Sequence, residues 1–390
     1  MWVVFVVKRM CFVVNPFAGI GGPLALKGTP RSLVVRAARE GYELLAPKRA
    51  LQFVERLVKI SGRSLRRVEV MTASEHMGYS VFKPFAGLFA GVEIVHRYDD
   101  WPTSRNDTIA TVKACVRRGA GLIVFVGGDG TAYDVLEALK SQESSVPVLG
   151  VPSGVKMFSS VFAYTAYQAA LAVYEWIEGK ASICEGEVVD YDEDAYREGV
   201  LRIRLRGLVN KICSVYVVGS TKQSVMGASV EENRKAIARY VVESMEECTL
   251  YILGPGSTVA YIARELGVEK TLLGVDVVHN RRLIGRDLSE NALYSLVSSH
   301  ISRGGRAKLV LSPIGGQGFL LGRGNQQISP RIIRLIGKSG LIIVADREKI
   351  YGLRGKPLRV DTGDSVLDKQ LRGYYRVVVD YGEEYVVRVE

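Results

Sequence analysis

Apolar residues along this chain fall into two kinds of pattern, and the two alternate. Short unbroken runs (Cys11–Asn15, Leu122–Val126, Val146–Val151, Leu250–Leu253, Lys308–Ser312) read as strands buried on both faces. Between them, apolar positions recur at helical spacing. In Leu51–Lys59 they fall at 51, 53, 54, 57 and 58, and in Asp107–Arg118 at Ile109, Val112 and Val116. Helices are likewise predicted over Ala132–Lys140, Val161–Gly179 and Val259–Leu266, and strands over Arg67–Thr72, Val92–Val95, Leu341–Ala345 and Tyr374–Val379. Strands alternating with helices predict an α/β fold, an open parallel sheet in the N-terminal half.

Around Glu187 the texture changes. The acidic stretch VVDYDEDAYREG leads into Leu201–Gly207, whose strict alternation predicts a half-exposed strand. A chain of 390 residues also exceeds one ordinary core. Two domains are therefore predicted. The first covers residues 1–180 and is the phosphate-binding α/β domain. The second covers 181–390 and is a mixed α/β domain rich in β-structure, with its last strands returning to pack on the first.

Three segments at predicted strand ends carry the candidate chemistry. Gly127-Gly128-Asp129-Gly130-Thr131 follows the clearest strand and precedes a helix. Glycines there can take positive φ and let a ligand approach the backbone, and the helix start aims N–H groups and its positive dipole end at the same point. An aspartate in such a nest opposes phosphate, so Asp129 is expected to act beside it, either as general base toward a hydroxyl or as ligand to phosphate-bound Mg²⁺. Plain turn chemistry is the alternative reading of these five residues. Asn15-Pro-Phe-Ala-Gly19-Ile-Gly21-Gly22 repeats the arrangement, with Asn15 holding the turn. In the third segment, Gly150–Ala163, Ser153, Gly154 and Lys156 are candidates, Lys156 to neutralise phosphate. Ser153 and Ser159 are open between ligand contact and helix capping.

Two C-terminal segments are less determined. Gly254-Pro-Gly256-Ser257-Thr258 reads as an anion nest, or as a turn whose hydroxyls cap the next helix. In the glycine-dense run Gly315–Gly324 and the Asn-Gln-Gln after it, Arg323 and Asn325 are candidates for ligand or interdomain contact.

Charge and cysteine usage narrow the classes. Net charge is +11, with a pI near 9.3, which suits anionic substrates. The basic residues are mixed with acids and not interleaved with aromatics, so nucleic acid is not the expected partner. Five separated cysteines without a CxxC pair predict neither a disulfide framework nor a zinc site, and four isolated histidines predict no metal centre. The opening MWVVFVV is seven residues, too short to span a membrane; translation starting at Met10 is an expectation from the strand that begins there. A cytoplasmic location fits this usage.

NPFAGIGG followed by GGDGT resembles the superfamily of NAD kinases, diacylglycerol kinases and sphingosine kinases. With GVPSGVKMFS, LGPGST, LLGVDVV and IGGQGFLLGRGNQQISP, the chain from Cys11 onward resembles the ATP-NAD kinase family, including polyphosphate/ATP-NAD kinases, of its archaeal and bacterial branch. The resemblance implies an NAD kinase-like fold. It implies phosphoryl transfer from ATP or polyphosphate, with Mg²⁺, to the 2′-hydroxyl of the adenosine ribose of NAD, in a homo-oligomer. It matches Asp129 to the hydroxyl-activating aspartate, and the glycines and Thr131 to phosphate-binding backbone. One departure concerns the acceptor. The family's Asn after the third strand is Pro152 here, and its Asn-Glu pair is absent, which leaves Asp190, Asp192 or Glu193 as substitutes.

Overall fold

The computed structural model describes residues 7–25, 31–40, 43–154, 157–191, 203–218, 228–314 and 318–390. It divides into two compact units, one built mainly from residues up to 220 and the other mainly from 221 onward.

The first unit runs β1 (Lys8–Val14), α1 (Arg31–Glu40), α2 (Leu45–Ser61), β2 (Val68–Ala73), α3 (Tyr79–Phe82), β3 (Gly91–His96), α4 (Arg105–Arg117), β4 (Leu122–Gly127), α5 (Asp129–Ser141), β5 (Val148–Pro152), α6 (Ala166–Ile177), β6 (Ser182–Tyr191) and β7 (Ile203–Cys213). Its seven strands order as β3-β2-β1-β4-β5-β7-β6, all parallel except β6. The continuous apolar runs exist because helices cover both faces. In β1, Met10, Phe12 and Val14 enter one core while Cys11 and Val13 enter the other.

The second unit runs α7 (Ala228–Glu243), β8 (Thr249–Leu253), α8 (Ser257–Glu265), β9 (Asp276–His279), β10 (Arg282–Gly285), α9 (Glu290–Ser302), β11 (Arg306–Leu311), β12 (Phe319–Leu321), α10 (Pro330–Ile336), β13 (Leu341–Val344), α11 (Arg347–Gly352), β14 (Arg359–Val360), α12 (Ser365–Leu371), β15 (Gly373–Asp380) and β16 (Glu383–Val389). Its main sheet orders as β10-β9-β8-β11-β13-β15-β16, with β8, β11, β13 and β15 parallel. This is the mixed α/β second part expected from the sequence.

Several expectations change. The compact units part near residue 220, not near 180, because β7 pairs with β5 and carries β6 with it. The last strands belong to the second unit's own sheet: β15 joins β13, and β16 closes that edge. The helix read over Val161–Gly179 begins only at Ala166, since Phe162 and Ala163 bridge to Gly150 and Val217. The cysteines are paired: Cys11 with Cys115, and Cys184 with Cys213, leaving Cys248 free and exposed. Sequence separations of 104 and 29 hid both pairings. Among the described residues, no helix is long and apolar enough to cross a membrane.

Candidate functional site

Chain connectivity in the first sheet reverses between β1 and β4: β2 and β3 lie on one side of that line, β4 and β5 on the other. Loops leaving two such strands diverge and open a crevice at their carboxyl ends. Both glycine-rich motifs leave from these two strands, and the third segment leaves from β5 beside them.

The first loop is held to its neighbours by specific bonds. Asn15 Nδ2 donates to Thr131 Oγ1 at 3.1 Å, and Asn15 Oδ1 accepts from Phe17 N at 3.2 Å. Gly19 sits at φ +86°, and a Cβ there would lie 2.0 Å from the Ser153 carbonyl oxygen. Ser153 Oγ donates to the Ala18 carbonyl at 3.1 Å, while the Ser153 and Gly154 amides share the Gly127 carbonyl. Gly21 and Gly22 are buried in the same run of turns. Asn15, Gly19, Thr131, Ser153 and Gly154 thus form one connected structure. Lys156 lies outside the described residues.

In GGDGT none of the three glycines takes the positive φ expected of them, and Gly128 is extended at φ −122°. Space is what Gly127 supplies, because a Cβ would fall 2.3 Å from Thr131 Oγ1. The helix α5 starts at Asp129, inside the motif, with Gly128 as N-cap and no side-chain cap. The amides of Asp129, Gly130 and Thr131 meet no acceptor among the described residues, as the first turn of an uncapped helix requires. Three N–H groups and the helix dipole therefore face one place.

Asp129 itself is only 4% exposed. Its Oδ2 accepts from the Phe158 amide at 2.7 Å and its Oδ1 from the Ser159 amide at 2.9 Å. Burial pushes its pKa up to about 6 against the pull of those bonds, and the nearby Asp190 carboxylate adds to the rise. The loop that holds Asp129 is itself anchored. Ser159 Oγ bonds the Val189 backbone, so it neither caps a helix nor stands free. Lys211 Nζ donates to the Ser160 and Val218 carbonyls at 2.6 Å each.

Around Tyr133, one turn beyond Asp129, lies a set of charges that the sequence did not announce. Arg206 and Arg105 place their guanidiniums 5.2 and 5.9 Å from the Tyr133 ring centre. Arg206 pairs with Asp190 at 2.8 Å, and Arg105 with Asp134 at 2.9 Å. Burial raises the Asp134 carboxyl to about 6 despite Arg105. Phe17 of the first loop packs on the half-exposed Trp101, which also meets His76 and Tyr98. The available signal was Asp134 and Tyr133 directly following the motif; Trp101, Arg105 and Arg206 had none.

The C-terminal candidates separate. Asn325 is used inside its own loop, accepting from Gly322 N and donating to the Leu320 carbonyl. Arg323 is buried with its guanidinium over Phe319. Gly256 caps α8 at φ +119°, and neither Ser257 nor Thr258 caps the helix with its side chain. Gly315 to Gln317, like Asp192 and Glu193, lie outside the described residues.

For Mg²⁺ the donor set is sparse: no group of three His, Cys, Asp or Glu able to hold a metal occurs among the described residues. Asp190, whose carboxylate is near enough to Asp129 to raise its pKa, is the carboxylate that could meet an ion carried on substrate phosphates.

Comparison with known proteins follows the same division of the chain. Residues 6–178 match the ATP-NAD kinase N-terminal domain, and residues 246–389 match the ATP-NAD kinase C-terminal domain. No curated protein matches. With the first match spanning the whole crevice from β1 through α6, and the second most of the other sheet, the chain belongs to the ATP-NAD kinase family.

Proposed function

We propose that this protein transfers a phosphoryl group from ATP or polyphosphate to the 2′-hydroxyl of the adenosine ribose of NAD, giving NADP. The observation that carries this reading is the uncapped start of α5, three open amides beside a fixed, buried carboxylate. The amides would hold donor phosphate, and Mg²⁺, when bound, would neutralise phosphate charge, with Asp190 as the protein carboxylate beside it. Asp129 would take the proton of the attacking hydroxyl. With a pKa of about 6 it is ionised at neutral pH yet more basic than an ordinary carboxylate. The Phe158 and Ser159 amides fix its orientation, so no rotamer search is needed before reaction.

A second reading keeps the kinase but changes the acceptor to another alcohol. It is favoured by Pro152 and by the missing Asn-Glu pair, which in the better-known NAD kinases holds NAD.

The test is NADP formation from ATP, Mg²⁺ and NAD, read by an NADP-specific dehydrogenase, with Asp129→Asn in parallel. Removal of the base is expected to cost about 10²- to 10⁴-fold in kcat. ATP binding without NADP, in the wild type, would discard NAD as acceptor and direct the search to other hydroxyls. ATP binding with no turnover of any acceptor would mark a nucleotide sensor.

A further inference from the structure

The loops that leave β1, β2 and β3 lie on the side of the crevice opposite α5, and each brings aromatic rings to one place. Phe17 follows β1, His76 follows β2, and Tyr98 and Trp101 follow β3. Trp101 is at their centre. Its ring centre lies 4.9 Å from that of Phe17, 4.9 Å from that of His76 and 6.2 Å from that of Tyr98. Phe17 is buried at 3% exposure, yet Trp101 keeps 39% of its surface open. An indole left this open on a backing of other rings forgoes much of the burial that such a side chain ordinarily contributes.

The loop that carries Trp101 is fixed at both ends. His96, at the end of β3, bonds Asp107 Oδ1 at 3.1 Å, and Asp107 Oδ2 accepts from the Ser104 amide at 2.8 Å and the Ser104 hydroxyl at 2.9 Å. Arg105, next in the chain, ties the loop to Asp134 of α5 at 2.9 Å. Through Phe17 the rings are also continuous with the first glycine-rich loop. The Phe17 amide donates to Asn15 Oδ1, and Asn15 Nδ2 reaches Thr131 beside the open amides of α5. An aromatic surface thus stands at a fixed place beside the phosphate nest. Its surroundings are acidic: Glu75, Asp99 and Asp100 are exposed there against Arg97. Burial raises the Tyr98 pKa, the His76 backbone amide opposes the rise, and the Glu75 and Asp107 carboxylates add to it. Phosphate is disfavoured in such a place, whereas an uncharged planar ring is not.

We infer that Trp101, backed by Phe17, His76 and Tyr98, is the stacking platform for the base of a nucleoside triphosphate donor whose phosphates lie at the start of α5. The platform's assignment to the donor rests on the proposed function, which places donor phosphate at those amides. It separates the two donors named there, because polyphosphate has no base and gains nothing from Trp101. Stacking on an aromatic side chain tolerates any base, so the platform selects for a nucleotide and not for adenine in particular.

Titration calorimetry of the full chain with Mg²⁺ and no acceptor tests this, with ATP and tripolyphosphate as the two ligands. The wild type should bind ATP about tenfold more tightly than tripolyphosphate, and Trp101→Ala should remove that preference by weakening ATP alone. Trp101→Phe, which keeps a ring, should recover most of the loss. Equal affinity for the two ligands in the wild type, or a preference that survives in Trp101→Ala, would overturn the platform. Weakening of NAD in place of ATP, titrated in the same way, would overturn its assignment to the donor. Urea unfolding of both variants identifies any loss of binding that comes from loss of fold. No step of the titration forms NADP, so a failure of NAD as acceptor would show only in the activity assay and leave these outcomes as they stand.

Discussion

Asp129 shows how one residue can be placed by structure and tuned by burial at once. A carboxyl whose folded pKa rises from 3.8 to about 6 binds its proton more tightly folded than unfolded. Its contribution to stability is therefore fully present below about pH 4 and lost as pH rises through about 6. Activity runs the opposite way, because the base works only when ionised. The rate should fall about tenfold per pH unit below about 6. Asp134 titrates in the same range, so the assignment needs a second variant. In a kcat/KM profile, Asp134→Asn should keep the acid limb and Asp129→Asn should lose it; the reverse result would move the base to Asp134. Gly19 is the other position where one atom decides. Gly19→Ala would force a left-handed L-residue and place its Cβ against the Ser153 carbonyl. The cost is about 2 kcal/mol or more, read by urea unfolding, with a higher KM for ATP.

At the scale of elements, legibility followed burial. β1, β4, β8 and β11 lie in sheets covered on both faces, so their apolar runs were continuous and their bounds could be read to within three residues. The start of α5 could not, because Gly-Gly-Asp-Gly has the composition of a turn and only the packing of Thr131 against Gly127 shows why the helix begins there. Asn15, Asp129 and the glycines of the crevice were visible because a strand delivers each of them. Lys349 was not: in REKIYG it reads as surface charge, and only the placing of α11 carries it to Thr258 and Ser312. The cysteine pairings were equally hidden, since spacing along the chain says nothing of proximity across it. Both links lie in the first unit, one joining β1 to α4 and one joining β6 to β7. Reductant should therefore lower the transition of that unit, by about 2–4 kcal/mol per link, and leave the other unchanged in calorimetry. One free thiol is expected in the denatured, unreduced chain and five after reduction.

For the molecule as a whole, the order of strands has a consequence for synthesis. In the first sheet β1 is made first and lies in the middle; β2 and β3 then extend one side, β4 and β5 the other. β6 precedes β7 but lies outside it, and the antiparallel pair can dock on β5 as a preformed hairpin. In the second sheet β8 is followed outward by β9 and β10, then by β11, β13, β15 and β16 on the opposite side. No strand has to be threaded between two already joined. A chain emerging from the ribosome would at each length present an open edge to receive its next strand, so neither sheet has to wait for its own end before it begins to form.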